Sequence, residues 1–446
     1  MSADVESPPE AEPRLLTRLR DHFGDEPARL AVVQQAFETY ERPNLHYAIE
    51  ELAQDADRPP ELLGIITQHE HYEASLAKLS RPAFAAQFDE GPVEYTDVAL
   101  AGGKQLACVQ RGLYLLRKDD RPVALHVCPE PRGIQGGIRV EVMAADREQA
   151  EQFLRPLTRR ARQGLAYRGS VLSLKVGCYG ALSVEFHHLP AVSRADIILP
   201  EDLLRRIERQ TLSFSRQAEK LRAAGRHLKR GILLHGPPGT GKTLTAKYLA
   251  AQMPGRTVLL VTGEGAGAIE TACKLARMLE PATVILEDVD LIGTQREDQT
   301  VGANALLFEL LNQMDGLTDD ADVLFLLTTN RPDVLEPALA SRPGRIDQAI
   351  EVPPPDADCR RRLLELYSRG MRVELADPER VIRRTEGVSG AFIRELLRKA
   401  AVFAAEEAGD GELVVRDAHL DEGLAELLVA GGALTKSLLG AARLAD

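Results

Sequence analysis

The chain has 446 residues, 44% of them apolar and 27% charged, with no Trp, 4% aromatic residues and a formal net charge of −12. That length exceeds one hydrophobic core and predicts two to four domains, with interiors built from Leu, Val, Ile and Ala. No apolar run approaches the roughly 18 residues of a membrane span, and five scattered cysteines without metal-ligand spacing fit a reduced, cytoplasmic setting.

The charge is unevenly placed. Residues 1–100 hold 8 Lys/Arg against 20 Asp/Glu, and the remaining chain balances at 47 of each. An acidic head argues against a grip on nucleic acid. It is a solvated surface or a face for a basic partner.

Residues 1–13 are rich in Pro and Glu, have no apolar h-region of a signal peptide, and read as disordered. The apolar spacing of Leu15, Leu16, Leu19, Phe23, Leu30, Val33 and Phe37 predicts helical segments over 14–41. Residues 45–52 and 62–79 read as further helix, giving a mostly helical head at 1–90. Residues 91–190 read as an α+β module, with strands at 93–98, 105–116, 123–128, 137–142, 171–176 and 183–187 separated by Gly, Pro and Asp signals. Its helix at 147–164 carries Arg155, Arg159, Arg160 and Arg162, which form a solvated face or touch phosphates. The pairs His69/His71 and His187/His188 lack a carboxylate or cysteine at ligand spacing and read as ordinary exposed histidines. No H-E-x-x-H motif is present.

From residue 196 strand and helix alternate. A helix at 201–221 precedes strands at 231–235, 257–261, 283–288 and 323–329, which implies an α/β fold with a mainly parallel sheet. The Pro353-Pro354-Pro355 run marks its exit, and 356–430 read as helical apart from an apolar step at 413–415. Within this part lies Gly236, Pro237, Pro238, Gly239, Thr240, Gly241, Lys242, Thr243 and Leu244. Preceded by the apolar run 232–234 and followed by a helical pattern to 252, this is a phosphate-binding loop. Its glycines turn backbone N–H groups around the β- and γ-phosphates, and the helix N-terminus adds partial positive charge. Lys242 neutralises phosphate oxygens and the Thr243 hydroxyl ligands Mg2+. About forty residues on, the apolar run 283–286 ends in Glu287 and Asp288. Nucleotide hydrolysis needs one carboxylate for the metal and another to polarise water.

Residues 195–430 resemble the AAA subfamily of the AAA+ ATPases, whose G-P-P-G-T-G-K-T loop is matched at 236–243. The resemblance implies a P-loop NTPase sheet at 195–355, a small helical lid and tail at 356–446, and ATP with Mg2+ as cofactors. The family's second motif usually ends Asp-Glu. Here Glu287 takes the metal position and Asp288 the water-polarising one, or the two roles are exchanged. The same inverted order occurs in the mitochondrial AAA ATPase that assembles respiratory complex III, which this stretch partly resembles. Asn330 matches the first sensor, although a strand-end Asn beginning a turn is also ordinary. Asp315 stands at the acidic position of the intersubunit signalling segment. In the turn 341–347, Arg342 and Arg345 match the arginine fingers that reach a neighbour's γ-phosphate, although a surface turn with two arginines has the same look. Gly390 and Ala391 match positions that lie against the nucleoside, and Asp196-Ile197 approach adenine. The fingers imply a homo-oligomeric ring, typically a hexamer.

The interval 262–269, where unfoldases of the family carry an aromatic pore residue, has none, and the chain lacks the apolar-Tyr-x ending of proteasomal ATPases. The expected function is ATP hydrolysis in a ring that remodels, disassembles or chaperones an unknown protein client. The alternative is a slow nucleotide-switched adaptor. DNA translocation is a third reading, against which the acidic head speaks.

Overall fold

A computed structural model describes residues 13–67, 73–130, 137–164, 166–176, 182–261, 268–290, 309–316, 320–333, 335, 345–408 and 411–427. The chain divides into two compact units. Unit 1 comprises residues 1–168 and 174–186, and unit 2 comprises 169–173 and 187–446.

Unit 1 is built on an antiparallel sheet. Its strands are β1 (Ala31–Glu38), β2 (Glu61–Thr67), β3 (Phe88–Gly91), β4 (Glu94–Ala99), β5 (Gln105–Lys118), β6 (Arg121–Pro129) and β7 (Gly137–Ala144). The order is β1-β7-β6-β5-β2-β3, with β4 also paired to β5. Asp119 and Asp120 form the two-residue turn between β5 and β6 at φ 53° and 59°. Asp tolerates the left-handed region that such hairpin turns require. Both sheet faces are covered. Helices Arg42–Gln54 and Arg147–Ala161 bring Leu45, Ile49 and Leu157 against Leu125 and Val140, while helix Arg14–Phe23 packs Leu15 and Leu19 with Leu113, Ala124 and Met143. Glu141 fastens the short helix Leu76–Leu79 to this sheet. It accepts from the Leu76 N–H at 2.7 Å and lies 3.0 Å from Nδ1 of the buried His126.

The expected mostly helical head is corrected here. Three of its segments are strands, and they continue the same sheet as β5–β7, so no boundary falls at residue 90. Val33 and Phe37 are four apart, a spacing that fits both a helical face and an alternating strand. The β-branched pair Val32-Val33 and the match of all eight residues to β7 decide for the strand. In β2, Gly64 admits the close approach of the chain at Pro92, whose carbonyl oxygen would lie 2.0 Å from an added Cβ. The strands expected from 93 onward and the helix at 147 are present within a few residues of their expected ends. His69 and His71 lie outside the described residues.

Unit 2 carries a parallel sheet. Its strands are β10 (Arg230–His235), β11 (Thr257–Val261), β12 (Ala282–Leu286), β13 (Val323–Thr329) and β14 (Gln348–Glu351). They run in the order β14-β10-β13-β12-β11. Strands β8 (Val171–Val176) and β9 (Leu182–His187) lie where the chain passes between the units. The first three residues of β8 pair in parallel with β11. The expected single helix at 201–221 is interrupted. Glu201–Glu208 widens into a π-helical turn at Arg209–Ser213, and Gln217 separates the short helices Phe214–Arg216 and Ala218–Ala223. Beyond the sheet, helices Ala357–Tyr367, Pro378–Arg384, Gly390–Ala408 and Asp417–Ala425 share a core of Phe392, Leu396, Leu397, Ile382 and Leu420. The apolar step near 413 becomes β16 (Val414–Arg416), paired in parallel with β15 (Arg372–Glu374).

Among the described residues no helix is long and apolar enough to cross a membrane, and no His/Cys/Asp/Glu group could hold a metal ion. Cys108, Cys128, Cys273 and Cys359 are buried and free.

Candidate functional site

The C-terminal ends of β10, β12 and β13, adjacent in the parallel sheet, bring three loops together, where open α/β sheets place their ligands. From β10 comes the glycine loop. Gly236, Gly239 and Gly241 have φ of 140°, 74° and 95°, conformations that L side chains rarely adopt. An added Cβ at Gly236 would lie 2.3 Å from the Val352 carbonyl oxygen. One at Gly239 would lie 2.7 Å from both Ala391 Cβ and Ser389 Oγ, whereas Gly241 faces open space. Gly241 precedes the helix Lys242–Ala251, whose N-terminus therefore opens on the loop.

Lys242 is buried. Its ammonium donates to the carbonyls of Gly236 and Pro237 at 2.9 and 2.8 Å. Burial lowers its pKa to about 8, against the opposing pull of Asp288 and Asp290. Thr240 donates to the Pro237 carbonyl at 3.0 Å and closes the turn. Thr243 is half-buried on the first helical turn, and Leu244 is exposed beside it.

The β12 strand ends at Leu286, so the two carboxylates leave the sheet together. Glu287 is ion-paired with Lys247 at 2.9 Å. Asp288 has φ 47°, and its N–H donates to Thr328 Oγ1 at 3.0 Å. The Asn330 amide donates to its carboxylate at 3.2 Å, so the expected sensor and carboxylate meet. Burial raises the Asp288 pKa, and Asp290 raises it further. Asp290 closes the same run of carboxylates and has no role assigned from the sequence. Its carboxylate accepts from Thr329 Oγ1 at 2.8 Å and from the Asn330 N–H at 3.3 Å, and so fixes the end of β13. Its place two residues after Asp288 was the one available signal.

The helix Gly390–Ala408 closes the loop from the other side. Ser389 caps it by accepting from the Phe392 N–H at 3.2 Å, and the Ala391 N–H donates to the Gly239 carbonyl at 3.1 Å. Asp196, Ile198, Leu199, Gly239, Leu244, Tyr367 and Gly390 line a cleft beside the loop. Asp196 thus lies where expected, but Ile197 turns into the core and Ile198 lines the cleft in its place. Hydrogen bonds from Ser193 keep the Asp196 pKa low. A glycine cradle, an ammonium, a helix N-terminus, adjacent carboxylates and an apolar cleft form a donor set that fits a nucleoside polyphosphate with a divalent cation.

Arg345 lies elsewhere. Its guanidinium pairs with Asp315, and its carbonyl oxygen would lie 2.4 Å from a Cβ on Gly231, at the start of β10. Asp347 secures this segment by accepting from the Gly231 N–H at 2.8 Å and donating its own N–H to the Gly231 carbonyl. Five residues of strand, about 16 Å at 3.3 Å per residue, separate Gly231 from Gly236. Among the described residues no ion pair joins Arg345 to Glu287 or Asp288 of its own chain, whose partners are Lys247 and Asn330. Arg342 and the 262–267 part of the aromatic-free loop lie outside the described residues.

Residues 232–354 match the family model described as the ATPase family associated with various cellular activities, AAA. The proteasome-activating nucleotidase of Pyrococcus horikoshii is 38% identical over 190 residues, which are 40% of this chain and 47% of that protein. That of Thermococcus kodakarensis is 34% identical over 235 residues, 50% of this chain and 59% of the relative. The ATP-dependent zinc metalloprotease FtsH of Rhodococcus erythropolis is 33% identical over 262 residues, 56% of this chain and 30% of the relative. The chain spans about half the length of the nucleotidases it matches. The loop, the paired carboxylates and Asn330 on one parallel sheet agree with the match: the chain carries an AAA ATPase domain.

Proposed function

We propose that unit 2 binds Mg·ATP and hydrolyses it, and that the chain assembles into a ring whose turnover remodels or disassembles a protein partner. The carrying observation is the junction of Lys242, Asp288 and Asn330 at neighbouring strand ends. Lys242 and the N–H groups of 236–244 would hold the phosphates, Thr243 and Glu287 the metal, and Gly390, Ala391 and the cleft the nucleoside. The cofactor supplies the cleavable phosphoanhydride and the cation. Asp288, which is oriented by Asn330 and is the carboxylate that acts most strongly on Lys242, would polarise the attacking water. Glu287 exchanges that role with it only if the Lys247 ion pair opens.

The ring reading is supported by the position of Arg345. An arginine side chain spans about half of the ~16 Å to its own loop. A charge-stabilising arginine at that distance serves the site of another copy, and Arg342, three residues earlier in the sequence, is the second candidate for that role. Relatives named as a proteasome-activating nucleotidase and an ATP-dependent metalloprotease support a protein as the object of the work.

The test is capture in the ATP-held state. Tagged Asp288→Asn protein held in ATP is expected to retain a partner that wild type in ADP and Lys242→Ala release. Retention that is equal in all three, with no ATP turnover by wild type at any protein concentration, overturns the reading. The ion pair at Glu287 favours one other reading, a slow nucleotide-switched adaptor, which predicts partner retention with fewer than one turnover per minute.

A further inference from the structure

We infer that the open edge of β1, with the arginine-lined groove beside it, docks an extended acidic segment of a partner protein, which joins the unit 1 sheet as an added strand. This surface is separate from the nucleotide site, and the inference does not rest on ATP hydrolysis.

β1 ends the sheet order, with β7 on one side and no strand on the other among the described residues. Its free groups can be assigned. The Glu130 N–H donates to the Gly137 carbonyl, so Gly137 and every second residue of β7 face β6. Ile138, Val140, Val142 and Ala144 then face β1, and their register partners Phe37, Gln35, Val33 and Ala31 bond inward. The N–H and C=O groups of Val32, Gln34 and Ala36 are left on the outer edge. A separate bond agrees, for the Ala36 carbonyl accepts from Gln35 Nε2 at 3.0 Å, which an acceptor already in the ladder does not require. Exposed edges are ordinarily blunted by Lys, Pro or a bulge. Residues 31–37 contain neither charge nor proline, and their pairing with β7 is unbroken.

The groove is formed by Gln35 and one face of the helix Arg147–Ala161, including Leu154, with Arg155, Arg159 and Arg162 exposed along it. Its one acid, Glu151, is already bonded to Arg147 and Arg155. The guanidinium groups of Arg159 and Arg162 make no hydrogen bond and no ion pair within 4.0 Å among the described residues, and the Arg162 charge is felt by Glu41 just beyond the end of β1. On the helix the three arginines are spaced by about 6 and 4.5 Å. Side chains on one face of an added strand recur about every 6.7 Å. Acidic residues at alternate positions therefore meet the arginines, while the main chain meets the edge. A polyphosphate chain could neutralise the arginines but has no donors for the outward carbonyls. A second copy paired through β1 would set arginine row against arginine row.

The probe is a fluorescein-labelled peptide Thr-Glu-Val-Glu-Val-Glu-Val-Thr, titrated with the full chain and read by anisotropy. The counterpart with Lys for Glu, and the acidic peptide N-methylated at alternate residues, are controls. The acidic peptide is expected to bind and both controls to fail. Arg159→Gln with Arg162→Gln is expected to weaken binding about tenfold or more, and Ala36→Pro to abolish it by removing an outward N–H. Basal ATP turnover is expected to be unchanged in both variants. If Ala36→Pro does not fold, the N-methylated peptide on wild type tests the same edge. Absence of acidic-peptide binding, equal binding of the lysine peptide, or retention of the N-methylated peptide overturns the inference. So does a concentration-dependent dimer that Ala36→Pro dissolves, which assigns the edge to a second copy, or displacement by oligo-dT with the edge variant still bound.

Discussion

The pKa of Lys242 makes nucleotide affinity depend on pH in a calculable way. Burial draws the ammonium from 10.5 to about 8, and Asp288 and Asp290 offset only part of that pull. A polyphosphate is held by the charged form, so binding above pH 8 must take up a proton. Between pH 7 and pH 9 the charged fraction falls from about nine-tenths to about one-tenth, and affinity for Mg·ATP is expected to weaken about tenfold. The terminal phosphate, with its last ionisation at about pH 6, is at least about nine-tenths charged over this range and gains little charge as pH rises. Calorimetry at pH 8 in two buffers of different ionisation enthalpy is expected to give about half a proton taken up per nucleotide. Lys242→Arg stays charged at every pH and is expected to bind with a flat profile. For the ligand-free fold the sign reverses. The penalty of burying the charge is fully present below pH 8 and is relieved as pH rises towards 10.5. A flat wild-type affinity profile, or the same slope in Lys242→Arg, would refute this reasoning.

Three further outcomes are expected. Arg345→Ala should leave Mg·ATP binding within about twofold of wild type and remove at least 90% (roughly tenfold or more) of turnover; in mixtures with wild type, turnover should fall faster than the mutant fraction, and a proportional fall argues against sites shared between copies. Gly239→Ala meets a positive φ and contacts at 2.7 Å, and should cost about 1–3 kcal/mol of stability in thermal unfolding, with weaker nucleotide binding. Arg256→Met strands Asp322, whose carboxylate lies 2.7 Å from the buried guanidinium, beside the lost bonds to Thr283 and the Ala282 carbonyl. Removing one partner of such a pair should cost about 3–5 kcal/mol, read by denaturant midpoint, with no change in ATP affinity per folded molecule.

The parts legible in the sequence were those fixed by nearby residues. The glycine loop declares itself because positive φ and close backbone approach leave glycine as the residue that fits. Glu287 and Asp288 were legible as a strand end, but not the ion pair to Lys247 or the bond from Asn330, since both partners come from other elements. β1 was misread because Val33 and Phe37 satisfy two periods at once. β14 was missed because Gln-Ala-Ile-Glu is too short and too polar to announce a strand, and only pairing with β10 makes it one. The position of Arg345 is set by Asp347 gripping Gly231, a contact across more than a hundred residues that no local pattern encodes.

The single backbone bond from Ala391 to Gly239 has a mechanical consequence. It roots the helix Gly390–Ala408 in the phosphate loop. Nineteen residues at 1.5 Å each make a rigid lever about 28 Å long. A tilt of about 5° at its base, smaller than the scatter of ordinary helix crossings, swings its far end by about 2.5 Å. A sub-ångström adjustment of the loop around a phosphate would thereby be magnified several-fold at the far end of this helix, with no hinge between the point of contact and the moving arm.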